Sequence, residues 1–150
     1  MNITVGVEID SPKSNVWAAI IDIDNCMDMI SGILDIKILH KPEEGLVGLK
    51  WTEKRKMFGK EASETMWITD CQDEEYYSTR AENNGAVYST TLAVSEIDNK
   101  TRLTMSFSDS SDSIFIKVVS SIMGIFIKKS MIKMLEKDLA DIKEFVEKNK

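Results

Sequence analysis

The tightest constraint on this chain is a change of period. From residue 33 to about residue 107, apolar side chains recur at alternate positions in run after run, with short turns between the runs. From about residue 113 the spacing becomes helical: Met131, Leu135, Leu139, Ile142 and Val146 follow at intervals of 4, 4, 3 and 4. Period two marks strands with one buried face, and the 3.6-residue stripe marks a helix with one buried side. A chain patterned this way must bury a sheet face against a long helix.

The first strand is set by Ile3, Val5, Val7 and Ile9, which alternate with Thr4, Gly6, Glu8 and Asp10. Ser11-Pro12 stops it. The pattern predicts that Ser11 caps a helix carrying Val16, Trp17, Ile20 and Ile21, with Pro12 at the first helical position. Asp22, Asp24 and Asn25 break that helix and start a second short one through Met27, Met29 and Ile30, ended by Gly32. Strands follow over 33–39, 46–58, 61–71, 75–82 and 86–97, and a last one carries Leu103, Met105 and Phe107. The separators Pro42-Glu43-Glu44-Gly45, Gly59-Lys60, Gln72-Asp73-Glu74, Asn83-Asn84-Gly85 and Asp98-Asn99-Lys100 all carry turn chemistry. Links this short make the sheet antiparallel and sequentially connected. The expected class is α+β: one strand, two short helices, six strands and a long C-terminal helix. A single helix over 113–149 would be roughly 55 Å long, so a break is expected between Ser120 and Gly124.

Composition narrows the function. The 150 residues, 43% of them hydrophobic, suit one domain over 1–150 that buries a core without a disulfide or metal staple. A net charge of −6 argues against a nucleic-acid partner, which calls for a basic face. Cys26 and Cys71 fall outside metal-ligand spacing and read as reduced thiols. With His40 the only histidine, neither a zinc site nor a Ser-His-Asp triad is expected, and no cofactor is called for. The N-terminus shows no secretory pattern, so the expected compartment is the cytoplasm. The most apolar stretch, 114–127, is interrupted by Lys117, Ser120, Ser121 and Gly124 and falls short of the ~20 residues that span a bilayer. No stable membrane insertion is expected. Being apolar around most of its circumference, this stretch is a candidate cavity lid, a candidate homodimer contact or a surface that touches membrane during loading.

Inward-facing positions follow from parity. Trp51, Glu53, Arg55 and Met57 share one face of their strand, Ala62, Glu64, Met66 and Ile68 one face of the next, and Tyr88, Thr90, Leu92 and Val94 one face of another. A sheet of seven strands curls because strands twist, and a curled sheet gripping a helix encloses volume. A buried Arg55 would pair with Glu53 or Glu64, or receive an acidic ligand headgroup. Glu53, Glu64 and Tyr88 are the candidate acid–base groups, since a buried carboxyl has a raised pKa. The predicted ligand-binding set is Trp51, Glu53, Arg55, Met57, Glu64, Met66, Tyr88, Thr90, Met105, Met123, Ile127 and Met131. Nine methionines fit such a wall because Met fills irregular space; Met27, Met29 and Met134 are expected there too.

The opening Val7-Glu8-Ile9-Asp10-Ser11-Pro12-Lys13-Ser14-Asn15-Val16-Trp17 resembles the start of the START-like (SRPBCC) superfamily. That superfamily holds the polyketide cyclase/dehydrase and lipid-transport-like proteins and is related in fold to the birch-pollen allergens. Glu44-Gly45-Leu46-Val47-Gly48 is similar to its Gly-x-Val-Gly turn, and Ile68-Thr69-Asp70 with Glu75-Tyr76 to the end of its central hairpin. Lys100-Thr101-Arg102-Leu103-Thr104 is similar to a later strand, and 135–147 to its closing helix. Methionines stand at 27 and 29, where many relatives carry a Trp. The resemblance implies a helix-grip fold: a seven-stranded curved antiparallel sheet around a long C-terminal helix, with two short helices between strands 1 and 2. It also implies a hydrophobic cavity between sheet and helix. The expected function is binding of a small hydrophobic ligand (lipid, polyketide or aromatic-like) as carrier or sensor. The alternatives are a cyclase/dehydrase-like or hydrolase enzyme, for which no family catalytic motif carries over, and a chaperone-activator-like interaction module.

Overall fold

The computed structural model describes residues 1–57, 59–83, 85–110 and 122–149, with backbone alone at 110 and 122–124. Seven strands, β1 Asn2–Ile9, β2 Ile33–His40, β3 Lys50–Met57, β4 Lys60–Gln72, β5 Tyr76–Asn83, β6 Ala86–Ile97 and β7 Lys100–Ser110, form one antiparallel sheet. Helix α1 (Lys13–Ile21) and the 3₁₀ helix η1 (Ile23–Asp28) lie between β1 and β2, and the long helix α2 spans Ile122–Lys148. The spatial order is β1-β7-β6-β5-β4-β3-β2, so β1 is the one strand whose neighbour is remote in sequence. Its register places Asn2 opposite Ser108 and Ile9 opposite Thr101.

The turns work as their residues require. Asp98 and Asn99 both take positive φ (48° and 67°), the two-residue hairpin geometry that matches strand twist. Gly48, at φ 97°, lets the chain fold over β4: its N–H donates to the Ile68 carbonyl at 2.8 Å and Ile68 N–H returns to the Leu49 carbonyl at 2.9 Å. That loop delays β3, which starts at Lys50 rather than at the expected residue 46.

The helical stripe Met131, Leu135, Leu139, Ile142 and Val146 is buried against the sheet, together with Ile9, Val16, Ile68 and Leu103. Polar clamps hold α2 in place. Lys143 Nζ donates to the Glu8 carbonyl at 2.8 Å, and Asp10 N–H donates to Glu147 Oε2 at 3.0 Å. Ser31 donates twice to Asp141 Oδ2, from its N–H at 3.0 Å and its hydroxyl at 2.7 Å. Among the described residues no helix is long and apolar enough to cross a membrane.

Three local expectations are corrected. Ser11 does not cap α1. Pro12 holds that position, its carbonyl taking the Asn15 and Val16 N–H groups, while the buried Ser11 carbonyl accepts a 2.7 Å bond from Thr101 Oγ1. Ser11 thereby ties the end of β1 to β7. The second short helix, expected to run from the Asp22–Asn25 break through Ile30 to Gly32, spans Ile23–Asp28 and ends earlier, and its three-residue turn buries Ile23, Cys26 and Met29 while leaving Met27 41% exposed. Helix α2 runs unbroken from Ile122 through Gly124. The rest of the expected break, Phe58, Asn84 and residues 114–121 of the candidate lid or dimer segment lie outside the described residues.

Candidate functional site

The inward faces of β3 to β7, the inner side of α2 and the α1–η1 corner line a cavity of about 300 Å³. That volume lies within the range of small-molecule sites, which are typically apolar with a few placed polar groups. Register explains the wall. The β3–β4 ladder runs without a bulge from Lys50↔Trp67 to Met57↔Lys60, so alternation carries Trp51, Glu53, Arg55 and Met57 to one face, opposite Met66, Glu64 and Ala62. Of the predicted binding set, Trp51, Glu53, Arg55, Met57, Glu64, Met66, Tyr88, Thr90, Met105, Ile127 and Met131 all line this cavity. The Met123 side chain lies outside the described residues. Met1, Met29 and Met134 join the wall, whereas Met27 faces solvent.

At the α2 side of the cavity Arg55 is clamped between two carboxylates. Its Nε donates to Glu53 Oε2 at 2.9 Å and its Nη1 to Asp138 Oδ2 at 3.1 Å. All three side chains are largely buried. Burial pushes the Asp138 carboxyl up to about 6, against the pull of the Arg55 guanidinium. The two carboxylates together hold Arg55 above its ordinary value, outweighing its own burial. The backbone at Gly32 passes over this group: a Cβ there would sit 3.7 Å from Arg55 Nη1 and 3.8 Å from Asp138 Oδ1.

Asp138 was not among the predicted site residues. The signal was present: it lies three residues after Leu135 and four before Ile142, on the buried stripe, where a carboxylate calls for a partner. Of the expected partners for Arg55, which were Glu53, Glu64 or an acidic headgroup, the structure shows Glu53. Asp138 reaches it from α2 and completes its pairing with Glu53.

The other polar groups of the wall behave differently. Trp51 is only 3% exposed, yet its Nε1–H has no hydrogen-bond partner among the described residues. Glu64 Oε1 is likewise buried and unpartnered. Burial, with the Glu53 charge nearby, raises the Glu64 carboxyl above its ordinary value, and an Asn83 side-chain hydrogen bond partly opposes this. Tyr88 stacks on Phe107 with ring centroids 5.9 Å apart, and burial and the Glu64 charge raise its phenol. Deeper in, Tyr77 donates its hydroxyl to the Ile20 carbonyl at 3.0 Å and meets Trp17 edge-on at 6.2 Å. Cys26, a free thiol, is pushed up to about 12 by burial, which keeps it protonated and unreactive. Among the described residues no three His, Cys, Asp or Glu side chains are grouped to hold a metal ion.

No protein-family model matches this sequence, and no curated protein matches it. Solved structures do. A START superfamily protein from Mycobacterium smegmatis aligns over 99% of both chains with a TM-score of 0.82 at 12% identity. The protein TTHA0849 from Thermus thermophilus aligns over 97% of both chains with a TM-score of 0.80 at 15% identity. The aromatase/cyclase Zhui from Streptomyces sp. R1128 aligns over 98% of this chain and 93% of its own, with a TM-score of 0.72 at 14% identity. The chain therefore has the START-like helix-grip fold that its motifs resemble. At these identities the likeness is one of fold.

Proposed function

We propose that residues 1–150 act as one START-like domain that holds a small hydrophobic molecule between the sheet and α2, as a cytoplasmic carrier or sensor. The observation that carries this reading is the cavity itself. A close-packed interior keeps few voids larger than a water molecule, whereas this one leaves about 300 Å³ unfilled along Met29, Met57, Met66, Met105, Met131 and Met134. Unbranched thioether side chains repack around varied shapes, which suits a binding wall. The fold supports the same class of role. The test is solvent extraction of the purified protein followed by mass spectrometry, with titration of apolar probes in parallel. A co-purifying lipid or aromatic molecule, or saturable probe binding, is the expected result; neither being found overturns the reading.

One observation favours catalysis as a second reading. Among the candidate acid–base groups, Glu53 is engaged by Arg55 and Tyr88 lies against Phe107, while Glu64 keeps an unpartnered oxygen and a raised pKa. A carboxyl of that kind suits proton transfer in a cyclase/dehydrase-like reaction. Turnover of a polyketide-like aromatic precursor that is lost in Glu64→Gln supports it, and equal turnover by both proteins removes it. An interaction module of the chaperone-activator kind requires a shallow cavity, and a volume of about 300 Å³ between sheet and helix weighs against it.

A further inference from the structure

The polar groups of the cavity sort by whether their hydrogen-bonding capacity is used. Arg55, its one guanidinium among the described lining residues, is already held by Glu53 and Asp138. The other cation of the described lining residues, the Met1 ammonium, is likewise paired, with Asp109 Oδ1, while three carboxyls line the wall: Glu53, Glu64 and Asp138. An anionic ligand would enter against like charge in a medium that screens poorly.

Among the described residues two buried side-chain atoms have no hydrogen-bond partner, the Trp51 Nε1–H donor and the Glu64 Oε1 acceptor. Buried polar atoms without partners are rare, and each calls for an explanation. The residues that carry them are neighbours in the sheet. Trp51 lies opposite Met66 and Glu53 opposite Glu64, so Trp51 and Glu64 are diagonal across the β3–β4 ladder on its inward face. Diagonal positions stand about 7–8 Å apart, within reach of one group placed between long side chains. An N–H asks for an acceptor and a carboxylate oxygen asks for a donor. A carboxylate ligand answers the first and is repelled at the second. An ammonium answers the second and presents only hydrogens to the first. A hydroxyl answers both.

We propose that the cavity selects an uncharged apolar molecule bearing a hydroxyl, its oxygen accepting from Trp51 Nε1 and its hydrogen donated to Glu64 Oε1. This rests on the ligand-binding reading above and adds the polarity of the ligand to it. The hydroxyl is that of an alcohol or phenol; fatty or aromatic acids are excluded. The remaining groups around Glu64 are consistent with this: the Asn83 side chain already serves the carboxylate, and Glu53 and Tyr88 add no positive charge there.

The test uses three probes of one shape: naphthalene, 2-naphthol and 2-naphthoate, titrated at pH 7 and followed by two-dimensional ¹H–¹⁵N NMR. The chain has three tryptophans, and Trp51→Phe assigns the Trp51 indole signal. The expected result is that 2-naphthol binds about three- to tenfold more tightly than naphthalene, the yield of one or two buried hydrogen bonds. 2-Naphthoate binds more weakly than both. The Trp51 indole N–H moves further downfield with 2-naphthol than with naphthalene, and Trp51→Phe abolishes the preference for 2-naphthol over naphthalene, a ratio that a common loss of affinity for both probes leaves alone. If Trp51→Phe does not fold, Glu64→Gln decides: it keeps the shape and an acceptor but drops the charge, so 2-naphthoate must gain on 2-naphthol. Naphthoate binding as tightly as naphthol to the wild type, or a naphthol preference that survives Trp51→Phe, overturns the proposal alone. Failure of all three probes to bind removes the ligand-binding reading, and the proposal with it.

Discussion

The two polar sets in the cavity wall sit on the same pair of strands and differ in what they finish. Glu53, Arg55 and Asp138 close on one another at 2.9 and 3.1 Å and tie β3 to α2. Trp51 and Glu64, one ladder step away, keep a donor and an acceptor unused. The first set belongs to folding, since its side chains take their hydrogen-bond partners from one another within the chain. In the second set those two atoms carry the cost of desolvation without a bond in return. Polar groups that a fold tolerates unpaired are where a binding partner has something to offer.

Substitutions break this contrast in order of size. Arg55→Met strands two buried carboxylates and is expected to destabilise the protein by about 3–5 kcal/mol at pH 8, read from urea unfolding. Part of that loss returns at pH 5. Without the guanidinium the Asp138 carboxyl rises further, so it protonates on folding and the uncompensated charge disappears. A variant as stable as the wild type at pH 8 would remove the structural role of the cluster.

Asp138→Asn leaves Arg55 its bond to Glu53 and is expected to cost about 1–3 kcal/mol. It also changes the pH profile. In the wild type the folded Asp138 carboxyl, at about 6, lies above its unfolded value of 3.8. Its contribution is therefore fully present below pH 3.8 and is lost as pH rises through about 6. The variant lacks that decline, and a profile that still falls there assigns the proton to another group. Glu64→Gln is the smallest effect and has the opposite sign: a gain under about 1 kcal/mol at pH 7, because an unpaired buried charge is replaced by an amide. The Glu64 carboxyl is raised, so this gain fades as pH falls and the wild-type group takes up its proton. Destabilisation by Glu64→Gln would place Glu64 in the folding set and erase the contrast.

Much of this was legible because a strand without a bulge keeps its parity. Eight uninterrupted pairs from Lys50↔Trp67 to Met57↔Lys60 preserve the alternation that sends Trp51, Glu53, Arg55 and Glu64 inward. The parts that escaped reading depend on partners far along the chain. Asp138 meets Arg55 across 83 positions, and strand parity says nothing about a residue on the opposing helix. Ser11 looked like a helix cap, but Thr101, 90 positions away, takes its carbonyl. Met27 followed a methionine pattern that suits an α-helical wall, and a three-residue turn put it outside. The cavity volume had no sequence signal, because it depends on how far α2 stands from the sheet.

The strand order has a consequence for how this molecule is made. Six of the strands can zip up consecutively as they leave the ribosome, each onto the one before it. β1 cannot, because its partner β7 is separated from it by about a hundred residues, Asn2 facing Ser108. At 5–20 residues per second of translation, β1 waits roughly 5–20 s with its apolar Ile3, Val5 and Ile9 uncovered. The first strand of the sheet to be synthesised is the last to enter it, and crowded cells give that interval to chaperones or to aggregation.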